Sequence, residues 1–219
     1  MKGLLALGVM VFALAAKAAP FAVQLGDTRI GLDAPPGFAD TGFTGSPRLL
    51  ELAEALTSAS NRILLFAIAD GDLRRFTQGD PLELRRHMMV VTPRGLERER
   101  VSESAFRLFV AESLRGLGEA PKSLDFPKHL DARPTGTMAL LAELRKEADV
   151  VSVLQGTRTK DGGMFGRSQY MLSTSTLLLV RGRALSLSVY TRYEDPADLD
   201  WIRATTARWV DELKRLNPR

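Results

Sequence analysis

The most constraining feature of this sequence is a pair of long strand signals joined by a very short connection. Residues Ser168 to Val180 and Ala184 to Tyr193 are rich in apolar and β-branched residues, and a tight turn at Arg181-Gly182 joins them. So short a connection cannot cross over a sheet, so the two strands must pair antiparallel. Val150 to Thr159, followed by the turn Lys160-Asp161-Gly162-Gly163, predicts a third strand and completes an antiparallel meander.

The rest of the chain mixes strand and helix signals without regular βαβ alternation. Strands are predicted in a hairpin from Phe21 to Leu32, at Ile63 to Ala69 and at His87 to Thr92. Helices are predicted after Ser46-Pro47, at Val101 to Leu117, at Thr137 to Ala148 and after Asp195-Pro196, and residues 118–135 are predicted to form a loop. We therefore expect an α+β fold: a single domain of residues 19–219, with a largely antiparallel sheet packed by helices and a C-terminal three-strand meander followed by a helix.

The first eighteen residues have the three parts of a cleavable signal peptide. Met1-Lys2 is positively charged, Gly3 to Ala16 is apolar and uncharged, and Ala16-Lys17-Ala18 places small residues where signal peptidase needs them. The apolar run is shorter than the roughly 17 to 25 residues that a membrane-spanning helix requires. We expect cleavage between Ala18 and Ala19 and an exported mature protein, located in the periplasm or, alternatively, secreted.

Composition excludes several classes of function. The chain has no cysteine, which excludes thiol catalysis and cysteine metal sites. Its formal charge of +4 falls to +2 when Lys2 and Lys17 are removed with the leader, too little to indicate a nucleic-acid partner. After the leader, no apolar stretch reaches spanning length, so the mature chain is expected to be soluble and to lack a membrane span.

Motifs for catalysis and cofactor binding are missing from the sequence. Its two histidines, His87 and His129, show no metal-ligand spacing, and we expect both to be hydrogen-bonded or solvated. The nearest string to a serine-nucleophile motif, Gly166-Arg167-Ser168-Gln169-Tyr170, lacks the second glycine. The sequence contains no GxxxxGK[ST] phosphate loop, and Gly116-Leu117-Gly118 runs into Pro121 instead of opening a helix as a dinucleotide-binding loop does. We predict no metal and no other cofactor.

Five residues stand out as candidates for contact with a partner or an anion. Trp201 lies about 110° from the centre of the last helix's apolar stripe, so its side chain should be partly exposed; the alternative is that a loop or the segment next to the leader covers it. The pairs Arg74-Arg75 and Arg85-Arg86 have the guanidinium groups that grip carboxylates or phosphates. Asp80 and Glu83 are near enough in sequence to neutralise them, and the alternative interpretation is a solvated surface.

A polar run interrupts the longest predicted strand at Ser173-Thr174-Ser175-Thr176. With Tyr170 and Tyr190 beside it, this run could form the floor of a polar cleft. Ordinary β-propensity accounts for the same residues.

Two segments resemble known groups of proteins. Ile30 to Phe38, a strand followed by Ala34-Pro35-Pro36-Gly37-Phe38, resembles the opening of proteins with Mog1/PsbP-like architecture, and the closing meander and helix are similar in order. That resemblance implies a non-enzymatic binding or assembly role. Leu49 to Phe106, with Asn61-Arg62-Ile63-Leu64-Leu65 and Arg86-His87-Met88-Met89-Val90, resembles an uncharacterised group of exported bacterial proteins, which transfers no site residues.

These features favour a non-enzymatic role. We expect an exported binding or accessory protein of the cell envelope, whose partner is another envelope protein of unknown identity. The alternative from another class is a small periplasmic hydrolase that uses dispersed carboxylates or Ser, Tyr and Arg residues. A purely structural envelope protein is a third interpretation.

Overall fold

The computed structural model of the protein describes residues 20–121, 125–160 and 168–218. The strands are β1 Phe21–Leu25, β2 Thr28–Leu32, β3 Phe38–Asp40, β4 Asn61–Ala69, β5 Arg86–Pro93, β6 Ala139–Glu147, β7 Val150–Lys160, β8 Ser168–Val180 and β9 Arg183–Tyr193. The α-helices are α1 Pro47–Ala55, α2 Asp70–Thr77, α3 Glu103–Ser113, α4 Phe126–Asp131 and α5 Pro196–Leu216. Short 3₁₀ helices lie at Thr41–Thr44 and Arg94–Leu96.

Seven of the strands form one antiparallel sheet in the order β3-β4-β5-β9-β8-β7-β6. The hairpin of β1 and β2 is separate from it. The α+β prediction is confirmed, and β7, β8 and β9 followed by α5 form the predicted meander and helix.

The hairpin and α5 belong to the main core of the sheet. Ile202, Trp209 and Leu213 of α5 are buried there together with Ile30 and Leu32 of β2. The Nε1 of Trp209 donates a hydrogen bond to the carbonyl oxygen of Asp33 at 2.8 Å, which ties the helix to the end of the hairpin.

Other helices pack against two smaller apolar clusters. Leu49 and Ala53 of α1 meet Phe66 and Ile68 of β4, and residues of α2 are packed beside them. Phe106 of α3 is buried in another cluster, with residues of β8 and β9. Because apolar groups lie on both faces, β4 needs the continuous apolar run that its sequence shows.

A β-bulge at Leu64 shifts the register of β4 against β5 between Ile63 and Leu65. Leu64 and Leu65 consequently both belong to the main core, whereas Ile63 and Phe66 pack with α1. A bulge bends a strand and weakens its pairing locally. Here it lies at the outer side of the sheet, where a site is formed.

The predicted helix from Thr137 to Ala148 is wrong, because this segment contains strand β6. Its leucines, alanines and charged residues favour a helix. The edge of β7 offers hydrogen bonds, and burial alternates: Ala139 and Leu141 are buried, whereas Leu140 is only partly so. Tertiary pairing outweighs local propensity here.

The predicted loop over residues 118–135 is also only partly right, since α4 lies within it. Asp125 caps this helix by accepting a hydrogen bond from the backbone N–H of Lys128 at 3.1 Å, and Phe126 and Leu130 are buried. Pro127 indicated a loop, yet proline is compatible with the first turn of a helix.

The predicted signal peptide, residues 1–18, lies outside the described residues, and its cleavage stays a prediction. Among the helices of the described ranges, none combines the length and the apolar character needed to cross a bilayer.

Candidate functional site

A cleft of about 360 Å³ opens where the chain passes the outer edge of β4. Its volume lies within the range of roughly 300 to 1,000 Å³ that is typical of ligand sites. Strand β4, the 3₁₀ helix after β3 and the first turns of α1 enclose it. The lining residues are Asp40, Thr41, Gly42, Gly45, Ser46, Pro47, Leu50, Ala53, Ile63, Leu64, Leu65 and Phe66.

The cleft exists because β3 is very short. It pairs with β4 only from Ala67 to Ala69, after which Asp40 caps the 3₁₀ helix by accepting the Gly42 N–H at 3.2 Å. Gly45 then takes a left-handed conformation (φ 62°), which glycine adopts without strain, and Pro47 begins α1. The chain therefore leaves the edge of β4 instead of continuing along it.

Within the described residues, side chains replace the missing strand at Phe66. The Oδ1 of Asp40 accepts the Phe66 N–H at 3.3 Å, and the Oγ1 of Thr41 donates to the Phe66 carbonyl oxygen at 3.0 Å. Farther along, the outer edge from Ile63 to Leu65 has no partner strand in the described part of the chain. A strand edge without a partner strand is a template for pairing with another extended chain.

Asp40 is the one ionisable residue among those lining the cleft. Burial raises the pKa of its carboxyl group above the ordinary value, and hydrogen bonds from the backbone N–H groups of Gly42, Phe66 and Thr41 oppose that rise. A carboxylate has about four lone-pair sites, so these donors do not exhaust its capacity. The cleft therefore holds a single, partly desolvated acid in apolar surroundings.

Two large apolar side chains are exposed on the elements that enclose the cleft. Leu50 of α1 lines the cleft and is 58% exposed. Phe43, in the 3₁₀ helix of the cleft wall, is 75% exposed and meets Phe21 edge to face with ring centroids 5.6 Å apart. The exposed side chain of Leu50 therefore gives the cleft an apolar surface that an occupant would remove from water.

The structure brings two of the sequence-predicted site residues together, Arg86 and Trp201. The Arg86 guanidinium lies over the Trp201 ring at 4.1 Å from its centroid and donates to the Oδ1 of Asp198 at 2.9 Å. Trp201 also lies near Phe38, with ring centroids 6.0 Å apart, and is partly buried. The arginine thus covers part of the ring by a cation–π contact.

The other predicted arginines lie in different elements. Arg74 and Arg75 are in α2, and Arg85 directly precedes β5. Within the described residues, these arginines pair with carboxylates other than Asp80 and Glu83: Arg75 with Asp72 at 2.6 Å, Arg85 with Glu194 at 2.7 Å and Arg86 with Asp198 at 2.9 Å. Contact of Trp201 and these four arginines with a partner or an anion stays a prediction.

The polar run in β8 does not line one cleft. Thr174 hydrogen-bonds Thr206 of α5 at 2.9 Å, and Thr176 hydrogen-bonds Ser152 at 2.7 Å, both in buried positions. Ser173 and Ser175 point to the opposite face, as alternation along a strand requires. Ser173 there lies opposite Tyr190 of β9.

His87 is neither solvated nor hydrogen-bonded, so the prediction for it is wrong. Its side chain is buried, and neither ring nitrogen has a hydrogen-bond partner among the described residues. The ring stacks on Tyr190 with centroids 4.4 Å apart and lies 6.2 Å from the ring of Phe66. Burial lowers its pKa from 6.5 to about 4.

The second histidine, His129, also lies apart from any cluster of metal ligands in the described residues. His129 lies in α4, and its buried Nε2 has no hydrogen-bond partner within the described ranges. No group of three or more potential ligands comes together in the described parts of the chain.

Sequence reasoning missed the cleft itself. A three-residue strand and a one-residue bulge carry no periodic signal that a pattern can detect. The sequence holds one hint. Phe43 lies between the Thr-Gly pairs Thr41-Gly42 and Thr44-Gly45, which favour a turn, and a phenylalanine in such a turn is a candidate for exposure.

No family model and no curated protein matches the chain. Among solved structures, it is similar to the Ran-binding protein Mog1p of Saccharomyces cerevisiae, with 13% identity, a TM-score of 0.41 and coverage of 90% of this chain and 93% of that one. A point variant of protein Mog1 gives 12% identity, a TM-score of 0.41 and coverage of 90% and 94%.

Proposed function

We propose that the protein is an exported, non-enzymatic binding protein of the cell envelope and that it holds its partner in the cleft along β4. One observation carries this function: the cleft joins an open strand edge, Ile63 to Leu65, to the exposed apolar side chain of Leu50. The leader sequence of residues 1–18 supports export.

The physical basis is the pairing and burial that the cleft offers. Backbone N–H and C=O groups at a strand edge gain roughly 0.5 to 1.5 kcal/mol net for each hydrogen bond formed with a partner. Burying a leucine side chain that was exposed contributes roughly 1.5 to 3 kcal/mol, and a large share of Leu50 is still exposed. An occupant that satisfies both features is favoured over one that satisfies either alone.

Site-specific photocrosslinking in the native host tests this function. A photoreactive amino acid replaces Leu50 in the full-length chain, and the matched control replaces Leu108, an equally apolar residue that is 73% exposed on α3, outside the cleft. We expect a discrete cross-linked product from position 50, recovered with the envelope fraction, and none of that size from position 108. No product from position 50, or the same products from both positions, would contradict the proposal.

A further inference from the structure

We infer, resting on the proposed function, that the segment bound in the cleft is an extended stretch of a partner polypeptide with a lysine or arginine side chain opposite Asp40. Three features of the cleft point to this occupant: the strand edge, the apolar walls and the single carboxylate.

The strand edge selects an extended backbone. A strand offers N–H and C=O groups at fixed intervals, and another extended chain at about 4.8 Å matches them in series. The open part of β4 from Ile63 to Leu65 spans roughly 10 Å at about 3.3 Å per residue. An occupant therefore needs only a few residues in the cleft, continuing the line that β3 begins beside Ala67.

The walls select apolar side chains two positions before and after the basic residue. Leu50 and Ala53 of α1 face Ile63 across the cleft lining, and none of the three is polar. Side chains alternate along an extended occupant, so the residues directly beside the basic residue point away from these walls, and the residues two positions from it point toward them.

Asp40 selects the cation. Its carboxylate is held in place by the backbone N–H groups of Gly42 and Phe66, and burial makes its negative charge costly. A cation bound beside it offsets that cost, and charge pairs strengthen where water is partly excluded. Charge-assisted hydrogen bonds are roughly twice as strong as neutral ones.

The arginines nearest the cleft in sequence, Arg48 and Arg62, contact groups other than Asp40. The Arg48 guanidinium lies over the Phe76 ring at 5.6 Å from its centroid. Arg62 forms an ion pair with Glu97 and also donates to the carbonyl oxygen of Gln24 at 3.2 Å. Within the described residues, no ion pair with Asp40 is formed, which leaves its charge to be matched by the occupant.

Peptide binding to the purified native protein tests the inference. The probe is an acetylated and amidated Thr-Val-Thr-Lys-Thr-Val-Thr heptapeptide, in which the valines lie two positions from the lysine, and the matched control carries norleucine in place of lysine. We expect the lysine peptide to bind about tenfold tighter, which corresponds to about 1.4 kcal/mol. Asp40→Asn keeps an oxygen acceptor for the N–H groups of Gly42 and Phe66 but removes the charge, so the ratio should fall to about one.

The outcomes separate the inference from the proposed function. If both peptides bind equally and Leu50→Asp abolishes their binding, the pairing of a cationic side chain with Asp40 is overturned, whereas the proposed binding cleft is supported. Failure of the native protein to bind either peptide, or no effect of Leu50→Asp, would overturn both. Backbone N-methylation at alternate residues of the lysine peptide should abolish binding, and unchanged affinity would overturn strand pairing. The lysine and norleucine comparison needs no variant protein, so it stands even where Asp40→Asn does not fold.

Discussion

Replacing His87 with phenylalanine should remove a loss of stability that the protein suffers in mild acid. The histidine ring is buried between Tyr190 and Phe66, and neither of its nitrogens has a hydrogen-bond partner among the described residues. Phenylalanine keeps an aromatic ring in the stack and cannot take up a proton. The perturbation therefore removes the titration while preserving most of the packing.

The size of the effect follows from the two pKa values. Folding lowers the pKa of His87 from 6.5 to about 4 because burial disfavours the charged ring. Well above pH 6.5 the ring is neutral in both the folded and the unfolded state, so its titration does not lower the free energy of unfolding. Below pH 6.5 the histidine binds a proton in the unfolded chain, but in the folded chain it does so only near pH 4. The free energy of unfolding therefore falls over this pH range. At pH 4.5 this loss amounts to about 2.5 kcal/mol.

Urea unfolding at pH 7 and pH 4.5 measures this loss directly. We expect the parent protein to lose about 2.5 kcal/mol more than His87→Phe between these two pH values. Tyr190→Phe is the matched control, because it changes the stacked neighbour but keeps the histidine, and it should retain the pH dependence of the parent. The same pH dependence in His87→Phe and in the parent would refute the assignment to this ring.

Three further predictions concern packing and processing. Trp209→Ala should cost roughly 3 to 5 kcal/mol in denaturation experiments, because the ring is 2% exposed and its Nε1 bonds Asp33, whereas Trp201→Ala should cost clearly less; equal losses would show that both are core residues. Gly156→Ala should cost about 1 to 3 kcal/mol, because its Cβ would lie 2.8 Å from the Leu141 side chain, whereas Gly71→Ala in α2 meets nothing within 4 Å and should be neutral or stabilising; similar effects on melting temperature would contradict this. N-terminal sequencing of the native protein should begin at Ala19-Pro20-Phe21, and intact Met1 on a cytoplasmic species would contradict export.

Helix α5 shows what a sequence pattern can predict. Its apolar residues recur with helical spacing over 21 residues, and Asp195 and Pro196 mark its beginning. The structure adds a capping box, in which Asp198 accepts back from the N-cap backbone. Pattern, cap and length agree here, and a long periodic element is the kind that local rules identify best.

Strand β6 and the cleft show where local rules fail. Strand β6 consists largely of helix-forming residues and becomes a strand because β7 offers it an unpaired edge. The cleft depends on where β3 stops and on the bulge at Leu64, and neither leaves a repeat in the sequence. The contact between Arg86 and Trp201 joins residues far apart in the chain, and only the pairing of β5 with β9 and the start of α5 bring them together.

Amide hydrogen exchange with the lysine heptapeptide is the most direct test of the claim that the cleft on β4 binds an extended segment. If the peptide adds to the open edge, exchange should slow in segments covering Asn61–Phe66 and Asp40–Pro47, with no change in α3, which lies outside the cleft. Leu50→Asp should abolish that protection. Unchanged exchange at Asn61–Phe66 under saturating peptide, or protection confined to other elements, would contradict the claim.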